Sequence, residues 1–245
     1  MFLKPWSDLP ARMQTDEVLK YYNILKKKSV ALFFKRLFDI VVSAGMLIVL
    51  SPLFLLLAAA IKIDSRGSVF FRQVRVTRYG KEFRIFKFRT MVTDAEKIGA
   101  QVTTKGDARI TRVGKVIRRF RLDEVSQLID ILRGTMTFVG TRPEVPKYVE
   151  QYTPSMLATL LLPAGVTSEA SIFYKDEAAL LDASEDIERT YVEEVLPCKM
   201  RYNLRAIENF SFWGEIKIML RTVLAVCGKD YSQNGDEDKC KVEAR

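Results

Sequence analysis

Apolar positions dominate from Ile40 to Ile61, where 22 consecutive residues carry no charge and Ser51-Pro52 interrupts the run near its middle. That length is typical of a membrane helix, because about 20 residues cross the hydrocarbon core. Upstream, Val18, Tyr21, Tyr22 and Leu25 recur at helical spacing and predict a helix over 15–28. Downstream the period shortens, so that 68–75 and 82–88 predict two strands turning at Tyr79-Gly80, although Phe86 spoils the alternation of the second. Helices are predicted over 95–101, 111–120, 123–133 and 143–162, with a loop over 103–107 and a stop at Pro163-Ala164-Gly165. An acidic stretch, 178–195, has helical period and reads as a solvated face. Near the end, Phe212, Trp213, Ile216, Met219, Leu220 and Val223 form an apolar stripe suited to a core helix or, given the aromatic pair, an interfacial one. Beyond Gly228 the polar composition predicts a disordered tail.

Charge sharpens the picture of the apolar run. Lys26, Lys27, Lys28, Lys35 and Arg36 precede it, and Lys62, Arg66, Arg72, Arg75 and Arg78 follow it. Cytoplasmic flanks attract basic residues, and here both flanks qualify. A helix bent at Ser51-Pro52 that enters and leaves by one leaflet satisfies both; a single-pass anchor with a tolerated proline is the alternative. Proline removes a backbone donor, and the serine hydroxyl can bond the carbonyl so freed. The net charge of +9 implies an anionic partner: lipid head groups, nucleic acid or a phosphorylated substrate. Three scattered cysteines, Cys198, Cys227 and Cys240, lack metal-ligand spacing and suggest a reducing setting. Histidine is absent, which excludes Ser-His-Asp and Cys-His catalysis, histidine acid–base chemistry and histidine metal sites within this chain.

Chemistry concentrates between 109 and 124. Arg109, Arg112, Lys115, Arg118, Arg119 and Arg121 lead directly into Asp123-Glu124, and a helix sets 112, 115 and 119 on one face. Carboxylates beside so many cations stay ionised. An ionised Asp can be a covalent nucleophile, a carboxylate pair suits Mg2+, and arginines clamp a diphosphate. Taken alone, the same segment also reads as a surface helix followed by a capping Asp123. The loop Phe138-Val139-Gly140-Thr141-Arg142-Pro143-Glu144 adds a Gly turn, a further Arg and a Pro suited to a helix start, where free amides face an anion.

From about Lys35 to Lys229 the chain closely resembles the monotopic phosphoglycosyl transferases, bacterial sugar transferases that initiate glycan assembly on a polyprenol phosphate. The resemblance rests on Lys35-Arg36-Leu37-Phe38-Asp39, Ser51-Pro52, Phe86-Lys87-Phe88-Arg89-Thr90-Met91, Arg118 to Glu124, Val139 to Pro143, and Glu208-Asn209-Phe210-Ser211-Phe212-Trp213. It implies a re-entrant membrane helix on the cytoplasmic face of the bacterial inner membrane. It also implies that Asp123 attacks the β-phosphate of a UDP-sugar, releasing UMP, and that polyprenol phosphate then takes the phosphosugar. Glu124 is expected to share Mg2+ binding with Asp123 or to assist proton handling. Substrate-binding roles fall to Lys87, Arg89, Arg118, Arg142, Pro143 and Lys175, with the Thr141-Arg142-Pro143 loop assigned to the uridine part. The fold expected is α+β: a small, mostly helical cytosolic domain with a short β-hairpin, joined to a re-entrant membrane helix and interfacial amphipathic helices. Residues 1–34 form an N-terminal extension, 35–66 the re-entrant helix, 67–229 the catalytic domain and 230–245 a tail.

Three places depart from the family pattern. Thr141 stands where the family has Pro, Ser168-Glu169-Ala170-Ser171 replaces a Gly-Trp-Ala-Gln stretch with Lys175 in place of an Arg, and Asn203 replaces an Asp. They fall in the half expected to shape the sugar pocket, so they bear on sugar identity more than on reaction type. The expected partners are a UDP-sugar, polyprenol phosphate and membrane lipids, with no nucleic acid; the oligomeric state stays open, a homodimer included. A membrane-anchored basic scaffold that binds acidic lipid or nucleic acid is the competing reading, since Phe71, Phe83, Phe86 and Phe88 lie near cations.

Overall fold

The computed structural model describes residues 1–93, 95, 107–174 and 186–226. Helix α1 (Asp16–Lys27) begins where the Thr15 hydroxyl accepts the Val18 N–H, and it carries acids in its first turn and lysines in its last, as the helix dipole favours. Its predicted stripe is buried. α2 (Ser29–Val49) and α3 (Ser51–Asp64) follow and meet at 61°. Pro52 has no N–H to offer the Ile48 carbonyl four residues back, and the Ser51 hydroxyl donates to that oxygen instead at 2.8 Å. No single described helix is long and apolar enough to cross a membrane, but the bent pair passes that test by length and composition. Ile48, Val49, Leu55, Leu56 and Ile63 remain exposed on it, while Leu57 and Ile61 pack with Phe88 and Ile117.

Two cations of the basic flank before the apolar run are committed internally. Arg36 donates to the Ile131 and Leu132 carbonyls at 2.6 and 2.9 Å, and Lys35 is only 2% exposed.

β1 (Phe70–Val76) and β2 (Glu82–Phe88) form the predicted antiparallel hairpin, and its turn carries left-handed Tyr79 and Gly80. The register pairs Phe71 with Lys87 and Arg75 with Phe83, so Arg75 and Lys87 share a face. α4 (Arg112–Arg119) is capped by the Thr111 hydroxyl, which accepts the Gly114 N–H at 2.9 Å. Gly114 lies against the Thr90 carbonyl, where a Cβ would sit 2.0 Å away; only glycine lets α4 approach so closely.

The predicted 123–133 helix splits into a tight 3-10 turn, Leu122–Gln127, and α5 (Leu128–Arg133). Tertiary bonds to β2 override the helical period there. The Ser126 hydroxyl donates to the Phe86 carbonyl at 3.0 Å, and the Asp130 carboxylate accepts the Phe86 N–H at 2.8 Å. A second, parallel pair, β3 (Met136–Val139) with β4 (Ala164–Thr167), was not expected. Between its strands, the predicted 143–162 helix is reduced to α6 (Pro146–Val149) and a 3-10 segment, Met156–Leu161. Pro154 disfavours helix at Thr153, and residues 156–161 are buried all round, unlike one face of an amphipathic helix.

α7 (Glu169–Phe173) precedes a helical run made of α8 (Ile187–Thr190), a wider turn Tyr191–Val195, and α9 (Leu196–Glu208). α10 (Phe212–Val226) sets Phe212 edge-on to Phe38 of α2 at 5.7 Å and leaves Trp213 78% exposed. The predicted 95–101 helix, the 103–107 loop, the first part of the 178–195 segment and the tail lie outside the described residues, apart from Ala95 and Asp107. Cys198 is disulfide-bonded, against the reduced state that cysteine spacing suggested.

The main core joins Leu9, Met13, Val18, Tyr22 and Leu25 to Leu157, Leu161, Val195, Met200 and Ile207. The first 30 residues are therefore part of its packing. A smaller cluster, Ile85, Leu128, Ile131, Met136 and Ala164, fills the space between the hairpin, α5 and the parallel pair. Among the described residues the molecule is thus mostly helical, with one antiparallel hairpin and one parallel strand pair.

Candidate active site

Asp123 and Glu124 enter the 3-10 turn just after Arg121, whose φ of 52° reverses the chain direction out of α4. That reversal, with the Ser126 bond to β2, turns the two carboxylates toward the hairpin. Glu124 receives Nη1 of Arg142 at 3.4 Å and Nη2 on its other oxygen, with Lys87 Nζ at 3.6 Å. Burial pushes the Glu124 carboxyl up, but Arg142 and Lys87 together outweigh it and hold it at about 2. Asp123 is pushed the opposite way, by burial first and by the charge of Glu124 next, with Lys87 and Arg118 opposing. The Lys87 ammonium is itself lowered, chiefly by desolvation, against the pull of Glu124.

Arg142 reaches Glu124 because two glycines cross. A Cβ on Gly165 would lie 2.2 Å from the Gly140 nitrogen, so β4 and the segment after β3 meet backbone to backbone. The Gly140 N–H donates to the Thr167 carbonyl and the Gly165 N–H to the Thr141 carbonyl at 2.9 and 2.8 Å. Arg142 emerges from this crossing and also donates to the Val166 carbonyl at 3.3 Å.

A cavity of about 540 Å3 opens in front of Asp123, lined in part by Arg75, Lys87, Arg89, Thr90 and Arg118. Asp123 makes no salt bridge among the described residues, so its carboxylate faces this cationic space while Glu124 is tied back. Arg118 is aimed by a bond from its Nε to the Thr90 hydroxyl at 3.0 Å. Arg89 lines the cavity too, but its guanidinium holds the Ser65 and Arg66 carbonyls beyond the end of α3 at 2.8 and 2.7 Å. The Pro143 carbonyl accepts Nη1 of Arg75 at 3.1 Å.

The structure therefore brings Asp123, Glu124, Lys87, Arg118 and Arg142 together. It separates the rest of the basic cluster: Arg112, Lys115 and Arg119 lie exposed on one face of α4, and Arg109 pairs with Asp107 at 2.6 Å. Lys175 lies outside the described residues. Sequence reasoning missed Arg75, although strand alternation places it on the Lys87 face. It also missed the buried group behind the loop, where Glu144 accepts the Tyr191 hydroxyl at 2.6 Å and Lys199 Nζ at 3.4 Å. Only the fold joins those three, and no local pattern announces them.

No cluster of three or more His, Cys, Asp or Glu side chains exists among the described residues. The donor set at the site is the Asp123–Glu124 pair. Both Glu124 oxygens accept from Arg142, so Asp123 is the carboxylate open to a cation; that fits Mg2+, which commonly takes one or two carboxylates and fills its other positions with water and phosphate oxygens.

A family model described as "Bacterial sugar transferase" matches residues 30–229. The chain belongs to that family. It is 34% identical over 197 residues to the UDP-N-acetylgalactosamine-undecaprenyl-phosphate N-acetylgalactosaminephosphotransferase of Aeromonas hydrophila, covering 79% of this chain and 44% of that protein. It is 36% identical over 194 residues to the UDP-glucose:undecaprenyl-phosphate glucose-1-phosphate transferase of Klebsiella pneumoniae, covering 78% of this chain and 39% of that protein. A Caulobacter vibrioides protein of the latter name is 33% identical over 199 residues, covering 80% of this chain and 70% of its own length. The chain thus spans less than half the length of the first two relatives. The matched region begins at residue 30, so the buried segment made of Leu9, Met13 and α1 lies outside it.

Proposed function

We propose that this chain transfers a sugar-1-phosphate from a UDP-sugar to a polyprenol phosphate. The observation that carries the proposal is a pair of neighbouring carboxylates in unlike settings, one clamped by Arg142 and Lys87, the other facing a cationic cavity. An Asp123 oxygen attacks the β-phosphorus of the donor, forming an aspartyl phosphosugar and breaking the bond to the bridging oxygen, which leaves with UMP. A phosphate oxygen of the acceptor lipid then attacks the same phosphorus and releases Asp123 as carboxylate. Both steps exchange one P–O bond for another, and neither needs an imidazole.

Lys87 and Arg118 neutralise the charge that spreads over the phosphoryl oxygens, and Arg142 holds Glu124 ionised beside the nucleophile. Asp123, with Glu124 beside it, would hold Mg2+, which would supply charge neutralisation to the diphosphate. Arg142 and Pro143 contact the uridine part. Arg89 acts at one remove, fixing the end of α3 against β2.

The bent pair α2–α3 enters and leaves one leaflet of the bacterial inner membrane from its cytoplasmic face. The 61° angle, the exposed apolar side chains and the exposed Trp213 of α10 support that reading.

The test is UMP release by purified protein given Mg2+, polyprenol phosphate and a panel of UDP-sugars. Asp123→Asn is expected to abolish release while leaving the thermal transition in place. An active Asp123→Asn protein rejects the nucleophile, and silence with every donor rejects the reaction.

A further inference from the structure

Lys35 and Asp39 lie four residues apart on α2, just before the apolar run, yet they are only 2% and 1% exposed. Buried charges persist only where their bonding is met by the protein. Here it is met largely by one strand. Lys35 Nζ donates to the Val139 carbonyl at 2.8 Å and to Glu215 Oε2 at 2.6 Å. Asp39 accepts the Thr137 hydroxyl at 2.7 Å on one oxygen and the Phe138 N–H at 3.3 Å on the other. Three consecutive residues of β3 are thus gripped by one face of α2. The next residues are Gly140, Thr141 and Arg142, whose guanidinium clamps Glu124. Glu215 belongs to the first turn of α10, so the two helices with the most exposed apolar surface both reach this point.

We infer that Lys35, Asp39 and Glu215 are positioning residues, coupling the seating of the apolar helices to the placement of Arg142 at the active site. A shift of α2 or α10 relative to the domain moves β3, and β3 carries the loop. The catalytic geometry then depends on the medium that holds the helices. Sequence alone placed Lys35 in the basic flank of the apolar run, and its burial gives it a structural role as well.

The test compares full-length protein in lipid nanodiscs of phosphatidylethanolamine and phosphatidylglycerol with protein in detergent micelles. Amide hydrogen exchange over 137–142 is expected to be about threefold or more slower in the nanodisc, with the β1–β2 hairpin unchanged between media. Lys35→Met/Glu215→Leu removes both members of that ion pair together and leaves Asp39 with its two bonds to β3. Thr137→Val is a milder variant that removes one bond without changing shape. Both are expected to lose most of the difference between media and to release UMP about tenfold and threefold more slowly, respectively, with vesicle co-sedimentation unaltered. An undiminished medium effect in the variants overturns the coupling, as does wild-type turnover in both. The kinetic arm rests on the transfer reaction proposed above. If the wild-type protein turns over no donor, that reaction falls, and the exchange arm alone decides the coupling.

Discussion

Asp123 and Glu124 are adjacent, yet their surroundings push their proton affinities apart, and that separation is the chemical content of the site. Glu124 is held at about 2 against an ordinary 4.5, although burial works the other way, because Arg142 and Lys87 prevail. A depressed carboxyl adds stability above its unfolded value and loses it as pH falls through its folded value. The contribution from Glu124 is therefore complete above 4.5 and disappears toward about 2. Arg142→Met is expected to lower stability at neutral pH by about 1–2 kcal/mol, less than a fully buried pair because Arg142 is partly exposed. The gap from wild type narrows as pH falls across that window, which denaturant unfolding at pH 7 and pH 3 measures. A gap independent of pH rules out an electrostatic origin. The basic cluster and the carboxylate pair were visible in the list of charges, but taken alone they also read as a surface helix with a capping Asp123, and Arg118 was singled out only by the family resemblance. Which of those cations turn inward was not legible: Arg112, Lys115 and Arg119 obey the helical period and face solvent, while Arg118 is aimed by Thr90 from another element.

At the scale of elements, the loop that presents Arg142 depends on a contact between two short strands. Gly140 and Gly165 approach so closely that a methyl group on the second has only backbone to push against. Gly165→Ala is expected to cost about 1–3 kcal/mol, the range for overpacking, and to raise the KM for the nucleotide sugar by displacing Arg142. Unchanged melting and an unchanged KM in that variant argue against the crossing as the support of the loop. α1 was readable from its regular apolar spacing, the bent pair from an uncharged run broken at Ser51-Pro52, and the hairpin from its turn at Tyr79-Gly80 despite the irregular alternation at Phe86. The parallel pair was hidden for two reasons: four-residue strands are too short to alternate, and their pairing spans a connection with no local signal. The same hidden sheet turned the predicted 143–162 helix into a buried, irregular segment, because residues packed on all sides lose the amphipathic period that marks a helix.

At the scale of the whole molecule, residues outside the matched family region complete the main core. Leu25 is fully buried against it, and Leu25→Ala is expected to cost about 2–5 kcal/mol, measured as a lowered melting temperature. A loss under about 0.5 kcal/mol shows instead that this segment is only draped on the surface. The path of the apolar pair is tested separately. Cysteines placed at Ser29 and Ser68 are expected to react with an impermeant reagent from the same side of a sealed vesicle, and opposite sides reject the bent path. Both feet of that pair stand on one body. At one foot Arg36 holds α5, and at the other Asp64 accepts the Val113 N–H at 2.9 Å while Arg89 gathers the chain just beyond. A leg of 14 residues measures about 21 Å, short of a hydrocarbon core of about 30 Å. On the bent path proposed above, a projection of set length, fixed at both ends, would work as a depth stop: it would keep the carboxylates at one height above the layer it enters, however thick that layer is. For the proposed lipid acceptor, the phosphate would then have to rise to that height, so access would depend on how far a head group can leave its plane.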